Sequence, residues 1–159
     1  MTAEQRLAEL GLTLPPEPRL PIGLEVPFEW VHVDGSLAHV SGHGAQNSDG
    51  SIAPPLGMVP IEVPLPLAQE SARKAALSML GSLQRTLGSL DRIEQWLTID
   101  GFVNARPGYE FTTAVLNPFS ELILDVFGAA GAHARTAMGV TATPMNLPVV
   151  AKATVRISA

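Results

Sequence analysis

The sequence predicts an α+β domain in which two helices cover one face of a largely antiparallel sheet. Two segments have the apolar spacing of amphipathic helices, and the remaining apolar segments supply five or six strands. In chain order the elements read strand, strand, helix, strand, helix, strand, strand. Pairs of strands interrupted by single helices are typical of an α+β layer rather than of repeated parallel βα units.

We expect residues 1–22 to form an N-terminal arm. Residues 23–159 should form a single domain that contains the predicted sheet and helices. Residues 3–10 have the spacing of a short amphipathic helix, and residues 14–21 contain four prolines, which exclude a helix and favour an extended path. A β-hairpin is predicted from Phe28 to Ser41, with Asp34-Gly35 as a type I′ turn.

After the hairpin, residues 42–66 are rich in Gly, Pro, Asn and Ser and are predicted to form a long loop. Apolar residues then recur at helical spacing over 67–87 and over about 109–127, and a glycine follows each stretch. Three further strands are expected, at 92–104, 136–143 and 149–158, and the last alternates apolar and polar residues.

Composition excludes several classes of protein. The chain has 159 residues, of which 46% are apolar and 16% charged, so it is long and apolar enough to fold around one core and is not intrinsically disordered. The net charge of −5 repels phosphate backbones, and no basic patch opposes it, so no nucleic-acid partner is expected.

The absence of cysteine excludes disulfides, zinc ribbons and thiol nucleophiles. The N-terminal segment lacks the pattern of a secretory signal, and no apolar run approaches the roughly 18 residues that span a bilayer. We therefore expect a cytoplasmic protein with no membrane partner.

Two segments contain residues suited to binding a small molecule. Arg135 follows a glycine-rich turn and precedes a strand, where its planar guanidinium can bind a carboxylate through two charge-assisted hydrogen bonds. The glycines of the Ser41-Gly42-His43-Gly44 segment permit a ligand to approach the backbone closely. The alternatives are a solvated arginine and an ordinary strand exit.

The histidines at positions 32, 39, 43 and 133 do not predict a metal site. His39 and His43 have a spacing that aligns ligands on a helix, whereas this stretch is predicted as strand and loop. His43 is instead a candidate acid/base group, because imidazole titrates near neutral pH.

Four segments together resemble the RidA/YjgF family of enamine/imine deaminases, also called endoribonuclease L-PSP. The resemblance covers residues 24–158, and the segments that carry it are HVSGHG at 39–44, SARKAALSMLGSLQRTLGSLDRI at 71–93, GFVNARPGYEFTTAVLNPFSELILDVFG at 101–128 and HARTAMGVTATPMNLPV at 133–149.

This resemblance implies a chorismate-mutase-like fold, a homotrimer with ligand pockets between subunits, and no cofactor. It also implies hydrolysis of 2-iminobutanoate- or 2-iminopropanoate-type imines to 2-keto acids and ammonia. Arg135 corresponds to the family arginine that binds the substrate carboxylate, and Ser41, Gly42 and Asn117 correspond to other pocket positions.

The chain departs from the family pattern at the pocket. Phe28 stands where the family has a tyrosine, and Ala137 stands where many members have a cysteine. The acidic residue that positions the attacking water corresponds to Val150, which cannot orient or deprotonate water. His43, at a position where glutamine is common, could compensate in part.

Three functions therefore remain open from the sequence. The first is a deaminase that binds a small imino or keto acid, and the second is a non-catalytic trimeric protein that binds or senses such a metabolite. The third, a ribonuclease or translation inhibitor, is disfavoured by the acidic chain, which has neither a basic groove nor a series of stacking aromatic residues.

Overall fold

A five-stranded sheet with two long helices packed on one of its faces confirms the predicted α+β class. The computed structural model describes residues 1–159. The helices are α1 (Ala3–Glu9), α2 (Leu65–Leu87) and α3 (Thr112–Phe127). The strands are β1 (Val31–Asp34), β2 (Leu37–His43), β3 (Ile93–Asn104), β4 (Ala134–Val140) and β5 (Val149–Ile157).

The sheet has the strand order β1-β2-β5-β3-β4 and is largely antiparallel, as predicted. The one parallel pairing joins β3 to β4, and α3 is the crossover between these two strands. Strand β4 therefore lies at an open edge of the sheet, with α3 above it. This placement matters because the candidate residue Arg135 lies on β4.

The core lies between the sheet and the helices α2 and α3. Along β5 the predicted alternation is confirmed, since every second residue from Val149 to Ile157 is buried and Lys152 and Arg156 are exposed. Gly101 of β3 permits close packing of α3, because a Cβ atom there would lie 2.5 Å from Cδ1 of Leu116. The packing of Leu116 on Gly101 thus fixes the distance between α3 and the sheet.

The hairpin is confirmed, but its predicted turn is wrong. Asp34 pairs with Leu37, so the two loop residues are Gly35 and Ser36. Only Gly35 has a positive φ, of 61°, whereas a type I′ turn needs a positive φ at both central residues. Gly35 is used, but at the first central position of the turn and not, as the dipeptide suggested, at the second.

The boundaries of the later elements also differ from the sequence prediction. Helix α2 begins two residues earlier, at Leu65, directly after Pro64. Helix α3 begins at Thr112 rather than near 109, because Pro107 and Gly108 form a turn in which Gly108 has a φ of 81°. The strand expected at 136–143 lies at 134–140.

Residues 1–22, predicted as an arm, pack against the rest of the same chain. Leu7 of α1 is part of the hydrophobic core. The Glu4 carboxylate accepts hydrogen bonds from the Gln84 side chain and from the Leu90 N–H, at 3.0 and 2.9 Å. The extended part of the arm then passes along the body, where the Arg19 N–H donates to the Gly50 carbonyl at 2.9 Å.

Helix α3 and the turn after it, Thr112–Gly131, are long and apolar enough by composition to span a membrane, contrary to the sequence expectation. In the fold, however, one face of this helix is buried against α2 and the sheet. The apolar character of α3 is therefore explained by its position in the core.

Candidate functional site

Arg135 lies on the edge strand β4, and its guanidinium points toward α3. Its Nη2 donates to Asn117 Oδ1 at 2.9 Å and to the Thr113 carbonyl at 3.3 Å. Its Nη1 donates to Ser120 Oγ at 3.0 Å. None of the ion pairs in the chain involves Arg135. The guanidinium is therefore held by neutral oxygens and has no counter-charge, and its partial burial lowers its pKa.

A second layer of contacts orients this arginine. His133 Nδ1 lies 2.6 Å from the Gly131 carbonyl, and its Nε2 lies 2.9 Å from Ser120 Oγ. Because a carbonyl can only accept, the hydrogen-bond network assigns the proton to Nδ1, so Nε2 accepts from the Ser120 hydroxyl. A lone pair of that hydroxyl then remains directed at Arg135. Ser120 and His133 thus position the guanidinium.

The partners on α3 have a periodicity that the sequence could have shown. Asn117 and Ser120, whose side chains bind Arg135, are spaced i and i+3, and Thr113, which contributes its backbone carbonyl, lies one turn before Asn117 on the same face. This polar stripe was not used in predicting the site, and neither Thr113, Ser120 nor His133 was assigned a role. We call these three residues, with Asn117 and Arg135, the arginine cluster.

Pro118 follows Asn117 inside α3 without breaking the helix. A proline lacks the N–H that would bond to the carbonyl four residues before it. Here that carbonyl, of Ala114, accepts from Gln69 Nε2 of α2 at 3.0 Å. The substitute hydrogen bond ties α2 to α3 one turn from Asn117 and so supports the arginine cluster.

The other predicted site residues surround an apolar cavity of about 250 Å³ beside β2. Phe28, Gly42 and His43 line it, together with Val150. Gly42 leaves room that a side chain would fill, since a Cβ atom there would lie 2.9 Å from Cγ1 of Val150. Ser41 does not line the cavity; its hydroxyl donates to the Glu29 carbonyl at 2.7 Å and holds the adjoining segment.

The predicted site residues therefore form two separate groups within one chain. Asn117 and Arg135 are joined directly, on the side of β4 that faces α3. Phe28, Gly42 and His43 lie at the apolar cavity, and strands β5 and β3 stand between β2 and β4. Within one chain, Arg135 and Asn117 lie together, but they lie apart from the residues at the cavity.

His43, the candidate acid/base residue, is almost fully buried, with 2% of its surface exposed. Its Nδ1 lies 2.6 Å from the Ser41 carbonyl, and its Nε2 lies 2.7 Å from Ser82 Oγ. Burial lowers its pKa to about 4, so the ring is neutral at pH 7. Both nitrogens are engaged within the protein. Its catalytic role stays a prediction, and this geometry favours a structural one.

Comparison with known proteins gives matches over most or nearly all of the chain. No family model matches the chain. The protein TCP17 of Trypanosoma cruzi is 34% identical over 125 residues, which cover 78% of this chain and 77% of TCP17. The crystal structure of Atu1372 from Agrobacterium tumefaciens, a protein of unknown function, has 33% identity and a TM-score of 0.86, and the match covers 99% of this chain and 93% of that one.

A second solved structure carries a functional name. It is a protein of Shewanella oneidensis that is provisionally named an endoribonuclease, with 25% identity and a TM-score of 0.87. The match covers 99% of this chain and 100% of that one. The whole fold, including the N-terminal arm, is therefore shared with these two structures.

The buried His43 predicts an acid-sensitive fold. Its pKa is lowered from 6.5 to about 4 in the folded protein, so the unfolded chain binds more protons between these pH values. The free energy of unfolding should therefore fall as the pH drops from 6.5 toward 4, by up to about 3 kcal/mol. Denaturant titrations at several pH values measure this loss.

The matched variant is His43→Gln, which cannot titrate. Its unfolding free energy should change less over the same pH interval, and the difference between the two proteins isolates the contribution of this residue. An equal pH dependence in the wild type and in H43Q would contradict the assigned protonation state.

Proposed function

We propose, since this chain belongs to the RidA/YjgF family, that it binds a small organic carboxylate, a 2-oxo or 2-imino acid, through Arg135. The observation that carries the proposal is the partly buried guanidinium. Its hydrogen-bond partners are all neutral, and no carboxylate of the chain pairs with it. Of its five N–H groups, one on Nη1 and one on Nε have no partner and remain for a ligand.

The binding site of this proposal is shared between subunits of a homotrimer. In support, the arginine cluster and the apolar cavity are separated within one chain, and the family resemblance implies pockets between subunits. The sheet face that the helices leave uncovered also has an apolar row, in which Phe102 pairs with Val150 on one side and with Met138 on the other. Met138 is 54% exposed, so association through this face would bury it.

The family reaction is a second candidate function. An imine of a 2-oxo acid reacts with water to give the 2-oxo acid and ammonia, and a carboxylate bound at Arg135 would orient the substrate for that attack. Arg135 and Asn117 correspond to two pocket positions of the family, and the hydrogen bond between them favours this reaction. The chain supplies no group to activate water, however, because Val150 is apolar and both His43 nitrogens are engaged.

We therefore favour a binding protein over an efficient deaminase. The third function, cleavage of RNA, has no support from charge, because the net charge is −5 and none of the described cavities is lined by a cluster of basic side chains. Location in the cytoplasm, where 2-oxo acids are available, stays part of the proposal.

Removal of the guanidinium tests the binding proposal. Calorimetric titration with 2-oxobutanoate should show affinity reduced at least about tenfold in Arg135→Ala, because a charge-assisted pair is lost. Arg73→Ala, which removes an exposed arginine of α2, is the matched control and should bind like the wild type. Unchanged affinity in R135A, with an unchanged melting temperature, would overturn the proposal.

Restoring an acid at position 150 tests the account of catalysis. With a freshly generated 2-imino acid, the wild type should release 2-oxo acid no faster than R135A. Val150→Glu should accelerate release on the order of 10²- to 10⁴-fold, the usual contribution of general acid/base catalysis. Val150→Gln, which is similar in size but cannot take up a proton, is the control. Acceleration by the wild type that is lost in R135A would show that the chain is a deaminase.

A further inference from the structure

We infer that the apolar cavity beside β2 selects ligands with a bulky hydrocarbon group, either an aromatic ring or a branched aliphatic chain. The inference rests on the proposed function, because it assigns the cavity to the side chain of the same 2-oxo or 2-imino acid. It extends that function by naming a substrate class larger and more apolar than the simplest 2-oxo acids.

The walls of the cavity come from several parts of the chain. The segment after the proline-rich arm supplies Leu24, Val26 and Phe28, and later parts of the chain supply Ile52 and Leu147. Aliphatic and aromatic side chains predominate in the lining. A hydrocarbon group in contact with them would be removed from water where it touches these side chains, which is the favourable term in apolar binding.

The buried and half-buried polar side chains that line the cavity, those of His43, Gln46 and Ser78, already have partners within the protein. Gln46 Nε2 donates to the carbonyls of Pro16 and Gly50, each at 3.1 Å, and its Oε1 accepts from Ser78. His43 uses both ring nitrogens. Arg19 also lines the cavity, but its side chain is 67% exposed and pairs with Asp49 through one N–H group, so it belongs to the solvent-facing part of the lining.

A polar ligand atom placed against His43, Gln46 or Ser78 would therefore find no free side-chain partner. Burial of an unpaired polar atom costs free energy, whereas a hydrocarbon loses nothing by the absence of partners. The satisfied lining thus selects against polar side chains as well as favouring apolar ones.

The volume is sufficient for such a group. An apolar protein cavity of about 150 Å³ holds benzene, and this one measures about 250 Å³. Each buried methylene contributes about fourfold in affinity. A four-carbon branched chain or a ring should therefore bind at least about tenfold more tightly than a methyl group in the same position.

The cavity is also next to the residues assigned to the ligand. Phe28, Gly42 and Val150 lie at its edge, and each corresponds to a pocket position of the family. Where the family has a tyrosine hydroxyl this chain has the ring of Phe28, and where the family has a carboxylate it has Val150. Both departures make this side of the cavity apolar. A ligand whose carboxylate is bound by Arg135 of a neighbouring subunit could thus extend its side chain into the cavity.

Calorimetric titrations with pyruvate, 4-methyl-2-oxopentanoate and phenylpyruvate test the inference. In the wild type, the two larger acids should bind at least about tenfold more tightly than pyruvate. Ile52→Trp, which fills the cavity, should bring this ratio of Kd values close to one. Ile61→Trp, at an apolar position that is 65% exposed and does not line the cavity, is the matched control and should leave the ratio unchanged.

A second variant guards against misfolding of I52W. Phe28 is 51% exposed, so Phe28→Ala should fold, and the loss of this wall should also lower the preference for the larger acids. Equal binding of all three acids by the wild type, or a preference that survives in both I52W and F28A, overturns the inference while the proposed function stands. Binding of none of the acids overturns the proposed function itself.

Discussion

A guanidinium that has lost part of its contact with water and binds only neutral oxygens has no opposite charge in the chain to offset that partial loss. Arg135 is in this position, and the rest of the site depends on it. Its partners lie along one face of α3, and α3 is fixed in turn by close packing of Leu116 on Gly101 and by the hydrogen bond from Gln69 to Ala114. The core therefore fixes the helix that holds the guanidinium, and in the proposed function a ligand carboxylate supplies the counter-charge that the chain does not.

The apolar cavity is the second half of the proposed site, and its chemistry is the opposite of that around Arg135. Around the cavity beside β2 the buried polar side chains are satisfied, and most of the surface left for a ligand is hydrocarbon. A molecule that suits both halves has a carboxylate at one end and an apolar group at the other. Because β5 and β3 separate the two halves within one chain, a neighbouring copy is the simplest source of the missing half. The extended arm contributes to this half of the site, because the segment that follows it lines the cavity.

Periodicity predicted most of the fold, and its failures have local causes. The apolar stripes located both long helices, but Pro107 and Gly108 delayed the start of α3, and the hairpin turn was misplaced by one residue. The contact between Arg135 and Asn117 could not be derived from spacing, because it joins an edge strand to a crossover helix; only the family resemblance suggested it. The roles of Ser120 and His133 depend on tertiary contacts. The polar stripe on α3 was a signal for Ser120 that was readable in the sequence, whereas His133 lies outside α3 and had no such signal.

The central claim, that Arg135 of one subunit completes the pocket of another, is tested most directly by mixing subunits. Chains that carry Arg135→Ala would be co-expressed with chains that carry Gly42→Leu, in which the new side chain meets Val150 and blocks the edge of the cavity. Each variant alone should fail to bind 2-oxobutanoate, whereas every mixed trimer should regain one site, built from the intact half of each chain. A mixed preparation that binds no more ligand than the two separate variants would contradict a shared site.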